Sequence, residues 1–338
     1  MRAWEIGSQQ GAESLRLAER PDPTPGPGEV VVAVRAVSLN HRDLMVVSGG
    51  YRALKPETQV PCSDGVGEVV ALGDGVTGVG PGERVTCVHF VDWTAGAFAR
   101  ALFANDIGST RDGWLAEKIV LPASALVKVP DSVGDARAAP LPSAGVAAWH
   151  GVVEIGGVRA GDTVLALGTG GVSIFALQIA KLHGARVAIT SSSPDKLAKA
   201  RALGADIVID TRKTPDWSSA VLEATGGAGA DIIVETGGYP SLPQSLLAAA
   251  AGGRIALIGA LSGAPGGELA NFGMMIAKSL TLRGVAGGSR AQLTGLLRAV
   301  DAGGVAPPID RTFAFEDAPA AYAHLKSAQH LGKVMIRV

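Results

Sequence analysis

The residues that could do chemistry begin at a glycine-rich turn, Gly168-Thr169-Gly170-Gly171-Val172-Ser173. The apolar run Asp162–Leu167 ahead of it shows no alternation, which predicts a strand buried on both faces. Behind it, Val172, Phe175, Ala176, Ile179 and Ala180 recur at helical spacing. A strand, a glycine turn and a helix in that order make a cradle for the pyrophosphate of a dinucleotide. Gly168 permits the tight turn, Gly170 lets the main chain approach the anion, and the free N–H groups of the helix start face it. The third position of the G-x-G-x-x-G pattern holds Ser173, a small residue but not Gly or Ala. A plain tight turn is the competing reading, and the place of this one at the head of a βαβ series favours the cradle.

The tip of the next strand reports which dinucleotide is expected. There the chain reads Ser191-Ser192-Ser193-Pro194-Asp195-Lys196. A carboxylate at that point would bind a ribose 2′-OH and repel a 2′-phosphate. Here Ser191 and Ser192 can donate to phosphate oxygens and Lys196 can add a positive charge. The alternative is that the serines only cap the helix starting at Pro194, as Ser193 is placed to do. With no acid at the strand tip, NADP(H) is the expected coenzyme rather than NAD(H).

These residues need elements to hold them. The first 130 or so residues read as β-rich, with runs Val30–Val37, Gly65–Leu72 and Arg84–Phe90 set between Pro/Gly turns, which suggests a barrel-like domain. The texture changes near residue 135, where Asp135–Val153 is Ala-rich and helix-prone. Beyond Leu167, strands and helices alternate: Arg186–Thr190, Pro194–Leu203, Asp206–Asp210, Trp217–Thr225, Asp231–Thr236, Pro240–Ala250 and Arg254–Ile258. Repeated βα units of this length call for an α/β fold with a doubly wound parallel sheet. The tail is a helix over Phe315–Ala328 and a strand over Lys333–Val338, for which the β-rich first domain is the natural host.

Composition narrows the function class. The chain has 338 residues, 47% hydrophobic and 18% charged, with a formal charge of −1, which fits two folded domains and removes the electrostatic signal for nucleic acid or acidic membranes. No apolar stretch reaches the ~18 residues of a membrane span, and the start Met1-Arg-Ala-Trp-Glu5 lacks a signal peptide's apolar core. Two cysteines, Cys62 and Cys87, without a C-x-x-C, suit a cytoplasmic protein with reduced thiols.

Taken together, the motifs resemble the medium-chain dehydrogenase/reductase superfamily over essentially the full length. The resemblance rests on Pro25-Gly-Pro-Gly-Glu29, Leu39-Asn-His-Arg-Asp43, Gly67-Glu-Val-Val70, Pro81-Gly-Glu-Arg-Val85, the Gly168 turn, Lys196-Leu197, Ala202-Leu-Gly-Ala205 and Gly332-Lys-Val334. It implies a GroES-like catalytic domain (1–134 and 288–338) interrupted by a Rossmann domain (135–287), and a homodimer paired through Ser279–Gly284.

The resemblance also locates the metal positions of the zinc-bearing members. Their three ligands, Cys, His and Cys, fall on Asn40, Ser63 and Ser143 of this chain, and Val91–Gly113 holds none of the cysteines of the structural zinc lobe. Ser and Asn are poor ligands for Zn²⁺, so no metal is expected. Cys62, His41, His89 and His150 have no ligand spacing that would rebuild a site.

Within the superfamily the chain is most similar to the zinc-free, quinone oxidoreductase-like branch. That similarity implies that Asn40 donates its amide to a substrate carbonyl and that Tyr51 donates a proton or hydrogen bond; a turn-holding Asn40 and a Tyr51 packed at a rim are the alternatives. It further implies that His41 touches the pyrophosphate, a solvated loop histidine being the alternative, and that Val172 packs behind the nicotinamide. Gly259, Ala260, Val285 and Gly287 would hold the carboxamide through the main chain, and Gly332 and Lys333 would come near the coenzyme. Arg42 stands where alcohol dehydrogenases have a relay hydroxyl, Asp43 is structural, and Trp93 shapes a pocket.

The expected function is NADPH-dependent, zinc-independent hydride transfer to a quinone or an α,β-unsaturated carbonyl. The alternatives are a metal-free NADP-linked alcohol dehydrogenase or ketone reductase, and a protein that binds NADPH without turnover.

Overall fold

The runs between the turns form strands. The first, β1 (Arg2–Glu5), pairs antiparallel with β2 (Arg16–Glu19). The Val-rich run is β3 (Glu29–Ser38), followed by β4 (Asp64–Leu72), β5 (Arg84–Cys87), β6 (Lys118–Pro122) and β7 (Leu126–Lys128). The computed structural model describes residues 1–259 and 270–338, and contacts divide the chain into two units. The first comprises Met1–Val146, Gly288–Gly303 and Pro308–Val338; the second comprises Ala147–Gly287 and Gly304–Pro307.

In the first unit the terminal strand β15 (Lys333–Arg337) lies between β14 (Ile309–Ala314) and β3, in the sheet order β14-β15-β3-β4-β5-β7, with β6 also on β3. Ile336 pairs with Val37 and Val334 receives the N–H of Leu39, so the chain's last residues close over the exit of β3. The helix His41–Val47 starts there, capped by Asn40, whose side chain and that of Asp43 form a reciprocal capping box. Beneath these elements Val32, Val34, Val37, Leu39, Trp114, Tyr322 and Val334 form one buried cluster.

The strands of the second unit are β8 (Thr163–Ala166), β9 (Arg186–Ser191), β10 (Ile207–Asp210), β11 (Ala230–Glu235), β12 (Ala249–Leu257) and β13 (Thr281–Gly284). Among the described residues they form a parallel sheet in the order β10-β9-β8-β11-β12-β13. The order turns back between β8 and β11, the place where such sheets open a crevice for ligands. The fold is α/β, a GroES-like unit and a Rossmann unit. No described helix is long and apolar enough to cross a membrane.

The helix-prone stretch Asp135–Val153 is helical in two pieces: a single turn over Asp135–Ala138, then a run from Leu141 to Ile155 whose middle, Val146–Trp149, is α-helical and whose ends, Leu141–Gly145 and His150–Ile155, widen to π-turns. Pro140 and Pro142 stand at the start of the second piece, where the ladder needs no N–H, and its widened first turn carries Ser143. Likewise β12 starts at Ala249 rather than Arg254, because Ala249 pairs with Ala230 ahead of a register shift.

Candidate active site

In the second unit, the residues singled out in the sequence gather at the carboxyl ends of the parallel strands. After β8, Gly168 has φ +73°, a conformation costly to residues with a Cβ. Gly170 has an ordinary φ of −75°, yet a Cβ there would meet no protein atom within 4 Å. Gly170 contributes no capping side chain to the helix Gly171–Leu182, so the N–H groups of its first turn, at Gly171 and Val172, are left to an anion. Thr169 is buried within the turn and Val172 is half-buried. Ser173 earns its place at the third position: its hydroxyl donates to the Leu167 carbonyl at 2.6 Å, which also accepts from Thr236 at 2.7 Å. The open cradle and the uncapped helix start fit a dinucleotide.

The tips of β8 and β9 are tied together, Gly168 N–H donating to Thr190 Oγ1 at 3.1 Å. Ser191 is buried and accepts from the Ser193 N–H at 3.2 Å, whereas Ser192 is exposed and Lys196 half-buried. Ser193 caps the helix by accepting from Lys196 N–H. Two residues absent from the sequence reading lie alongside. Thr211 N–H donates to Ser191 O at 3.0 Å, which brings the exposed Arg212 and Lys213 to the same strand tips. The register Asp210↔Ser191 is the signal that finds them.

Gly259 and Val285 are held by main-chain bonds, Gly259 N–H to Glu235 O and Val285 N–H to Leu257 O, each 2.9 Å. The Gly287 carbonyl lies 2.8 Å from His150 Nδ1. Ala260 lies outside the described residues. Buried Glu235, which the sequence reading also passed over, accepts from Gly237 and Gly238 N–H groups and from the Ser241 hydroxyl, fixing the turn after β11.

In the first unit, Asn40, Ser63 and Ser143 come together although they are far apart in the chain. Asn40 Nδ2 donates to Ser63 Oγ at 3.1 Å, and Ser63 Oγ lies 3.3 Å from Ser143 Oγ. Both hydroxyls donate to Asp64 Oδ1, and Ser143 N–H donates to Asp64 Oδ2 at 3.0 Å. Asn40 Oδ1 accepts from Lys333 Nζ at 2.5 Å, and the same ammonium donates to Leu39 O at 2.6 Å. Lys333 is only 3% exposed. Burial pushes its pKa down while the fields of Asp64 and Asp43 act to hold it up. Asp43 accepts from the N–H groups of Asn40 and Ser63. Burial pushes its carboxyl up to about 6 against the pull of Arg42.

Tyr51 stands in an adjoining network. Its hydroxyl donates to Asp106 Oδ2 over a long 3.4 Å, and the Arg42 guanidinium lies 4.8 Å from its ring centre. Buried Asp106 is taken by Arg42 at 2.9 Å and lies 3.0 Å from His89 Nδ1. Burial raises the Tyr51 pKa further, so the phenol stays a donor at neutral pH. Exposed His41 opens the helix after Asn40; Gly332, at φ +74°, packs so tightly that a Cβ would fall 2.3 Å from Pro308 O. Trp93 is buried beside Phe90 and Phe98.

The donor set at Asn40, Ser63 and Ser143 does not fit a zinc ion. It offers an amide and two hydroxyls, already spent on internal hydrogen bonds, with an ammonium at contact distance that a cation would have to oppose.

Comparison with known proteins places this geometry. One matching family model, described as an alcohol dehydrogenase GroES-like domain, covers residues 26–131, and one described as a zinc-binding dehydrogenase covers residues 171–302. A zinc-type alcohol dehydrogenase-like protein of Schizosaccharomyces pombe is 38% identical, over 92% of this chain and 91% of its own. An acryloyl-coenzyme A reductase of Metallosphaera sedula is 30% identical, over 98% of this chain and 97% of its own. The crystal structure of an NAD-dependent alcohol dehydrogenase superposes with a TM-score of 0.91 at 37% identity, covering 100% of both chains.

Proposed function

From the premise that the chain belongs to the medium-chain dehydrogenase/reductase superfamily and is an oxidoreductase, we propose that it uses NADPH to reduce a quinone or an α,β-unsaturated carbonyl compound without a metal ion. The observation that carries this reading is the hydrogen-bonded Asn40–Ser63–Ser143 group with Lys333 against it, a donor set ill suited to hold the Lewis acid that would polarise an unactivated carbonyl. Substrates with a conjugated oxygen accept hydride at carbon or ring without that help. The acryloyl-coenzyme A reductase relative, named for such a conjugated substrate, supports the choice.

Bound reduced nicotinamide supplies the hydride. The chain's own residues do the rest. The first-turn N–H groups after Gly170 receive the pyrophosphate. Ser191 and Ser192, with Lys196, Arg212 and Lys213 around them, receive a 2′-phosphate. One solved neighbour is named as NAD-dependent, so the coenzyme choice turns on these strand tips rather than on overall likeness. The Asn40 amide and the Tyr51 hydroxyl, whose long bond to Asp106 is readily exchanged, donate to the substrate oxygen as negative charge develops. Free, buried Cys62 and Cys87 suit a reducing cytoplasm.

An anaerobic assay of a cyclic enone beside its saturated ketone tests the reading. NADPH oxidation is expected to be at least roughly 100-fold faster with the enone, the several kcal/mol that a metal would otherwise supply to the ketone. Comparable rates would favour the metal-free ketone reductase, the reading that the alcohol dehydrogenase neighbours support. Tight NADPH binding with neither compound reduced would point to a binding protein.

The same reading makes the chain a homodimer through β13. Among the described strands β13 pairs only with β12, and Thr281, Arg283 and Gly284 are exposed along it. Light scattering should then give about twice the 34.2 kDa of one chain, and a monomer mass would remove this part of the proposal.

A further inference from the structure

We propose that Lys333 is a positioning residue that supplies, through Asn40, the positive charge this centre has in place of a metal ion. The inference rests on the metal-free reading above and assigns the cation that reading leaves unnamed.

The placement is built into the fold. Gly332 takes a left-handed turn against Pro308, and the chain then enters β15 beside the exit of β3. The residues after Lys333 on that strand, Val334, Met335 and Ile336, are buried and apolar. An apolar side chain would therefore have suited position 333 as well, at none of the several kcal/mol that burying an ammonium costs. The carboxylates of Asp64 and Asp43 act on Lys333 through their fields, and neither accepts a hydrogen bond from it among the described residues. Its two acceptors are the Leu39 carbonyl and the side chain of Asn40, the residue at the first metal position. Lysine has three donors, and the third finds no acceptor among the described residues.

Two consequences follow for the reaction. The ammonium fixes which way round the Asn40 amide sits, since only Oδ1 can face it, and so leaves Nδ2 to donate to Ser63 Oγ and, over a longer 3.5 Å, to Ser38 O. A fixed positive charge in a dry site also favours the substrate oxygen as it gains negative charge, with no reorganisation at the moment of transfer. A coenzyme contact, the role the family resemblance gives this residue, would act on binding instead. The two roles separate in kinetics.

The test compares Lys333→Gln, Lys333→Met and Lys333→Arg. Lys333→Gln keeps a donor for Asn40 and removes only the charge. Its kcat for the enone is expected to fall roughly 10–100-fold while the Kd for NADPH, read by fluorescence titration, stays within about twofold. Lys333→Met should fall further and Lys333→Arg should recover part of the loss. A rise in the NADPH Kd with kcat retained would overturn the proposal in favour of a coenzyme contact. Lowered melting temperatures with kcat retained would overturn it in favour of a structural role. Independently of turnover, nitrogen-15 NMR of the Lys333 side chain should show a protected ammonium at neutral pH, and a neutral amine there would sink the assignment. A wild-type protein inactive toward enones, yet showing that ammonium, would count against the proposed function and not against the cation.

Discussion

Gly170→Val is expected to leave the protein folded and to weaken NADPH binding by roughly 100–1000-fold. Position 170 has a backbone conformation open to any residue, and a Cβ there meets no protein atom within 4 Å. The added side chain therefore costs the fold little and enters the space that the pyrophosphate needs. Each charge-assisted hydrogen bond lost from the helix start is worth about 1.5–3 kcal/mol, and about 1.4 kcal/mol is a factor of ten, so one or two lost bonds give that range. Fluorescence titration measures it, with thermal melting alongside. Gly168→Val is the contrasting variant: φ +73° penalises any Cβ, so its melting temperature should fall as well. Undiminished NADPH binding by Gly170→Val would mean that the turn holds no coenzyme.

Ser191→Asp is expected to reverse coenzyme preference, changing the ratio of kcat/KM for NADPH over NADH by roughly 100–1000-fold. The serine ends β9, and Lys196, Arg212 and Lys213 lie about the same strand tips. A carboxylate there exchanges a donor for a repelling charge, together about 3–4 kcal/mol against a 2′-phosphate, while gaining hydrogen bonds to a free ribose hydroxyl. An unchanged ratio would mean that the serines serve only the helix cap, the alternative the sequence itself leaves open.

The dinucleotide cradle is legible in the sequence because its signals are local. A glycine turn between a non-alternating strand and a helical stripe spans little more than twenty residues, and each signal has its own steric reason. The closing of the terminal strand onto β3 is also foreshadowed, since a strand at Lys333–Val338 needs a partner and the β-rich first domain offers one; its second neighbour, β14, is not foreseen. The polar group is not legible. Lys333 meets Asn40 across 293 residues, and no spacing rule connects a lysine in a terminal strand with a helix cap near the start. The bond between Arg42 and Asp106 is hidden in the same way, as is the arrival of Arg212 and Lys213 beside Ser191 through strand register. The interruption in the helix-prone stretch Asp135–Val153 has a plainer cause: Pro140 and Pro142 bring no N–H and so mark a fresh helix start at Leu141. The side-chain chemistry at Asn40 is thus partly recoverable from residue types, but its charge is recoverable only from the fold.

Metal content measured together with activity tests the central claim most directly. The protein, purified without chelator, should carry well under one zinc per chain by elemental analysis. Prolonged dialysis against a strong chelator should leave NADPH-dependent enone reduction unchanged. One zinc per chain, with activity lost on its removal and restored on its return, would contradict the account.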